Sequence, residues 1–146
     1  MVFAIYLYLT IIMSTTGERD IFNNEYVKIY ANDSGSIVLL FENEAEKILA
    51  IGERMNEINE EAYMNGYNWD AFFNYYLAKN APDILENMES DPEAGSYAAY
   101  FEDTRENEER AKRFADIIIS LIENEEDIYK ILREKGDEIE WDLPFA

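Results

Sequence analysis

YVKIYANDSGSIVLLF, running from Tyr26 to Phe41, is the stretch that decides the fold. Tyr26 to Ala31 alternates outward and inward side chains, as a half-buried strand does. Ile37 to Phe41 is a short apolar run. Between them lies Asn32-Asp33-Ser34-Gly35-Ser36, a cluster of turn formers. Two strand-like runs joined by such a short connection predict a β-hairpin.

Downstream the period changes from two to that of a helix. Asn43, with Glu46 three residues on, has the form of a capping box. Ala45, Ile48, Leu49, Met55, Ile58 and Ala62 form a helical stripe, which predicts a helix to about Tyr63. Glu46, Glu53, Glu57, Glu60 and Glu61 gather on its other side, as a solvated face would. Asn65-Gly66 is expected to stop this helix and Asn68 to cap the next. Trp69, Phe72, Phe73, Tyr76 and Leu77 then repeat at spacings of three and four, an aromatic stripe suited to a core. Pro82 starts a short helix through Leu85.

A second hairpin is expected from about Glu86 to Phe101, with its turn at Asp91-Pro92-Glu93-Ala94-Gly95. In its second strand Tyr97 and Ala99 share one face, and Ala98 and Tyr100 the other. Asp103 and Glu106 fit a further capping box, followed by a buried stripe of Ala111, Phe114, Ala115, Ile118, Leu121 and Ile122. Asn124 is expected to cap a last helix that buries Ile128, Ile131 and Leu132 and stops at Gly136. Ile139-Glu140-Trp141 reads as a final strand or an anchor for the tail. The order is hairpin, helices, hairpin, helices. It predicts an α+β fold: one domain, an antiparallel sheet of two hairpins, and about four helices packed mainly on one face.

The expected domain is 21–146, with 1–20 as an amino-terminal extension. Val2 to Met13 (VFAIYLYLTIIM) has no charge and is too short to span a membrane as a helix, which takes about 20 apolar residues. It lacks the basic start of a signal peptide. Its β-branched and aromatic residues favour a strand. Met13 followed by Ser-Thr-Thr-Gly-Glu-Arg-Asp also resembles an ordinary polar start, so a start misplaced by twelve residues is the other expectation.

Composition narrows the chemistry. The 146 residues include no Cys and no His. Thiolate metal sites, disulfides, cysteine nucleophiles and imidazole acid–base catalysis are therefore excluded. No cofactor and no metal are expected. Twelve basic residues stand against 32 acidic ones, for a net charge of −20. Such a charge repels nucleic acid and anionic membranes and draws in basic partners. No phosphate-binding glycine loop, Gly-x-Ser-x-Gly elbow or EF-hand loop occurs. Asp91-Pro92-Glu93 brings two carboxylates close in sequence, and proline between them reads as a turn whose charges face water.

Three features taken in order resemble the immunity protein 51 family. They are Gly66-Tyr67-Asn68-Trp69-Asp70-Ala71, then Asp91-Pro92-Glu93-Ala94-Gly95-Ser96-Tyr97, then a Phe-bearing helix around Phe114. The resemblance spans roughly Tyr26 to Trp141. It implies a cytoplasmic antitoxin of a bacterial polymorphic toxin system, with a toxin domain as partner and no catalysis of its own. Tyr67, Trp69, Asp91, Pro92, Glu93 and Gly95 match the family's motifs and read as scaffold.

An inhibitor of a basic toxin needs carboxylates and rigid aromatic anchors. The expected interface has Glu102, Asp103, Glu106, Glu108 and Glu109 as its charged rim and Tyr97 and Tyr100 as anchors. Three other readings share part of these features. A DNA-mimic inhibitor of a nucleic-acid enzyme has the same electrostatics. A carboxylate-based hydrolase needs acids converging in a pocket. A structural subunit needs an extended apolar patch.

Overall fold

The computed structural model describes residues 18–143. The expected extension, and with it the strand or misplaced start at Val2 to Met13, lies outside the described residues apart from Glu18, Arg19 and Asp20. Among the described residues are five strands: β1 (Arg19–Asn23), β2 (Val27–Ala31), β3 (Ser36–Phe41), β4 (Met88–Glu93) and β5 (Ser96–Glu102). Five α-helices accompany them in the described residues: α1 (Glu46–Ile58), α2 (Gly66–Asn80), α3 (Pro82–Leu85), α4 (Arg105–Glu123) and α5 (Glu125–Lys135), the last followed by a 3-10 turn at Gly136–Glu138. All strand pairs are antiparallel, in the order β1-β2-β3-β5-β4.

Both expected hairpins form. Val27 faces Phe41 and Ala31 faces Ile37 in the first. Gly35 turns it with φ 86°, a left-handed conformation that glycine adopts without strain. In the second, Met88 faces Phe101 and Glu93 faces Ser96. Asp91, Pro92 and Glu93 are therefore strand residues and not the turn, which is Ala94-Gly95. β4 is an edge strand, where a proline's missing N–H costs no ladder bond. β1 was not expected; it pairs with β2 through a register shift between Asp20 and Phe22.

The alternation of each strand separates two faces. Val27, Ile29, Ala31, Ile37, Leu39, Phe41, Tyr97, Ala99 and Phe101 share one face and belong to a single core with the helices. α4 crosses β2, β3 and β5, α2 lies against β4 and β5, and α1 packs on α5. Phe73 occupies the centre, with ring centroids 5.3 Å from Phe41, 5.6 Å from Trp69, 5.2 Å from Tyr97 and 5.4 Å from Phe114. A bidentate Arg113–Asp83 pair at 2.6 and 3.1 Å ties α3 to α4.

Helix ends depart from expectation. α1 begins after Ala45 with no side-chain cap, because Asn43 is turned into the protein and buried. It ends at Ile58, since Asn59 is extended and its side chain accepts the Glu61 N–H at 2.9 Å instead. Gly66 is not a left-handed stop: it opens α2, capped by Asn65, whose side chain accepts the Asn68 N–H at 3.0 Å. Asn68 is buried and holds the tail, accepting the Asp142 N–H at 2.6 Å. α4 is capped by Thr104 and not by Asp103, through the Asn107 N–H at 3.1 Å. Asn124 precedes α5, but its amide donates back to the Ser120 carbonyl at 2.8 Å and caps nothing. Ile139 is buried and Trp141 half-buried, so the tail is an anchor and not a strand.

Candidate functional site

The sheet's second face carries a cross-strand row in register: Asp20, Tyr30, Val38, Tyr100 and Glu89, one residue from each strand. The next row is Asn23, Lys28, Leu40, Ala98 and Asp91. The middle of this outer face is apolar and its margins are mostly charged. Val38 is 1% exposed, between the two tyrosines that flank it directly, while Tyr100 is 36% exposed. None of these residues belongs to the helix-covered core. Burial, the Glu18 charge and Tyr100 together raise the Tyr30 phenol above its ordinary value.

The two tyrosines expected as anchors face opposite ways. Tyr100 is on the outer face. Tyr97 is 1% exposed, closed in between Phe73 and Phe114, and offers no surface to a partner. Their alternation was read from the sequence; which face the helices cover was not.

The five expected rim acids also divide. Glu102 ends β5 on the outer face, paired with Ser36. Asp103 follows at a corner, where its N–H donates to the Gly35 carbonyl at 3.0 Å. Glu106, Glu108 and Glu109 lie on the first turns of α4. Arg19 reaches Glu108 at 3.0 Å and Asp103 at 3.7 Å. Lys112 approaches Glu108 at 3.4 Å and Glu109 at 3.8 Å. The hydrogen bond from Arg19 is the main reason the Glu108 carboxyl lies below the usual range. Three of the five are thus countered by the chain's own bases.

Glu89, Asp91, Glu93 and Glu102 make no ion pair with any described residue. They share one side of the second hairpin. Glu89 was not among the expected interface residues, and Asp91 and Glu93 were expected as scaffold. The signal was available: register opposite Tyr100 places Glu89 beside it.

The matched motif residues occupy different places. Trp69 is in the core. Tyr67 and Asp70 line a cavity of about 530 Å³ between α2 and the tail, together with Tyr75 and Trp141. Gly66 lies directly beneath the second hairpin's turn, donating its N–H to the Ala94 carbonyl at 3.0 Å. Gly95 faces the end of the Glu44 side chain.

A family model described as immunity protein 51 matches residues 27–137. The chain belongs to the immunity protein 51 family. The match takes in both hairpins and the five described α-helices; β1 precedes it. No curated protein and no solved structure matches the chain. Membership of the immunity protein 51 family supports an immunity role, with a protein toxin as partner. Among the described residues, no helix is long and apolar enough to cross a membrane.

The buried phenols of this immunity protein 51 member make its alkaline stability predictable. Burial, then the Glu125 charge, pushes the Tyr129 phenol up to about 12. Burial, then the Asp70 charge, raises Tyr97 well above its ordinary value. A phenol with a raised folded pKa contributes its full stability below the unfolded value of about 10. That contribution is lost as pH rises through the folded value. Alkaline titration should therefore show near-ultraviolet circular dichroism and tyrosinate absorbance changing together above about pH 10. Full tyrosinate absorbance with intact tertiary signal would contradict it.

Proposed function

We propose that the chain binds and neutralises a cognate, basic bacterial toxin domain in the cytoplasm, and does so without catalysis of its own. The observation that carries this reading is the combination of family membership with a strongly one-sided charge. The net charge is −20, and the carboxylates of the second hairpin have no partners among the described residues. Carboxylates left unmatched on a folded surface favour a cationic partner and accelerate its approach. Blocking a toxin needs only a surface that covers the toxin's working cleft. No residue of the immunity protein has to react.

Co-expression tests this directly. Cells making the toxin domain encoded beside this gene should grow normally when the immunity protein is co-expressed, and should stop growing without it. Continued growth arrest with both proteins present at equal levels would contradict the proposal.

A further inference from the structure

We infer that the toxin docks on the outer face of the sheet, around Tyr30, Leu40 and Tyr100, and not on the corner where α4 begins. This rests on the toxin-binding function proposed above. The helices gather their apolar residues onto one sheet face only. On the other face Val38 and Ala98 are buried, Tyr30 and Leu40 half-buried and Tyr100 is 36% exposed, and no described helix covers them. An amphipathic tyrosine at the middle of a face contributes contact area and a hydroxyl at small entropic cost, as interface anchors do.

Charge selects the occupant. Glu89 and Asp91 border the apolar centre on the β4 side, Asp20 borders it on the β1 side, and Glu102 lies at one end. The only base on the two central rows, Lys28, is 3.9 Å from Glu42. A second copy would bring the same surplus of carboxylates and be repelled. The partner that fits presents Lys or Arg around an apolar or aromatic centre. Its guanidinium groups can lie on tyrosine rings while reaching the bordering acids. The corner is a poorer site, because Arg19 and Lys112 already counter Asp103, Glu108 and Glu109 there.

The test compares three variants of the full chain with the wild type by calorimetric titration against the toxin domain. The first is the triple variant E89K/D91K/E102K, the second is Y100A, and the third is the corner variant E106K/E109K. Circular dichroism melts confirm folding for each, and sedimentation gives the oligomeric state. The triple variant should lose affinity roughly 100-fold or more and Y100A about tenfold or more. The corner variant should stay within about threefold. Wild-type binding with both face variants also within about threefold overturns the docking site but leaves the function standing. A wild-type dimer that the face variants convert to monomer also overturns it, since the face then pairs copies. If the wild type does not bind the toxin, the toxin-binding function itself fails and the docking site with it.

Discussion

Replacing Gly66 with alanine should abolish folding or lower the melting temperature by more than about 10 °C. A Cβ at this position would overlap the carbonyl oxygens of Glu93 and Ser96. Both are backbone atoms of the β4–β5 turn, so no rotamer change relieves the clash. Either the turn lifts from the start of α2 or the helix loses its first residues. The first outcome breaks the hydrogen bond from the Gly66 N–H to the Ala94 carbonyl. Overpacking of this kind costs about 3 kcal/mol or more, against a total stability of about 5–15 kcal/mol. Gly95→Ala is the control. Its new Cβ would meet only the flexible end of Glu44, and its φ is not positive. It should cost under about 1 kcal/mol. A Gly66→Ala protein that melts like the wild type would show that the turn does not rest on α2 as described.

Phe73→Ala should cost about 3–5 kcal/mol, the largest penalty expected of a side-chain truncation here. Phe73 is 1% exposed and its ring makes edge contacts with Phe41, Tyr97 and Phe114. Those three rings come from β3, β5 and α4, so one ring joins the first hairpin, the second hairpin and a helix. Removing it leaves a cavity bounded by rigid aromatics that cannot collapse to fill it. Denaturant titration should show the loss as a lower midpoint with an unchanged slope. A loss below about 1 kcal/mol would mean that the aromatic cluster is not the centre of the core.

Much of this architecture was legible in the residues, because burial leaves a periodic signature. Val27 to Ala31 and Ser96 to Glu102 alternate, and the Ala111 to Ile122 stripe repeats at helical spacing. Caps were less legible. Asn43, Asn68 and Asp103 are all competent caps, yet the chain uses Ala45, Asn65 and Thr104. Each true helix start lies within three residues of the expected cap. The choice is made by tertiary contacts: Asn68 is needed inside, where it holds Asp142, so Asn65 does the capping. β1 was not read because RDIFN mixes polar and apolar residues and is shifted in register, as an edge strand can be.

The placement of the residues expected at the interface was half legible for a similar reason. Alternation separates Tyr97 from Tyr100 but does not say which face the helices take. Helix packing decides that: Phe73 of α2 and Phe114 of α4 close over Tyr97 and bury it. Local charge density does not report ion pairing. EDTRENEER, residues 102–110, is the most charged run near the second hairpin, yet three of its five acids, Asp103, Glu108 and Glu109, pair with Arg19 and Lys112. Three of the second hairpin's four unpaired carboxylates, Glu89, Asp91 and Glu93, are spread along β4, where sequence spacing hides the proximity of Glu89 to Tyr100.

Titration calorimetry of the wild-type protein with the toxin domain encoded beside it, at low and at high salt, tests the central claim most directly. The expected result is a tight one-to-one complex whose affinity falls as salt rises, because carboxylates meet bases at its margins. Absence of binding at both salt concentrations would contradict an antitoxin role for this chain.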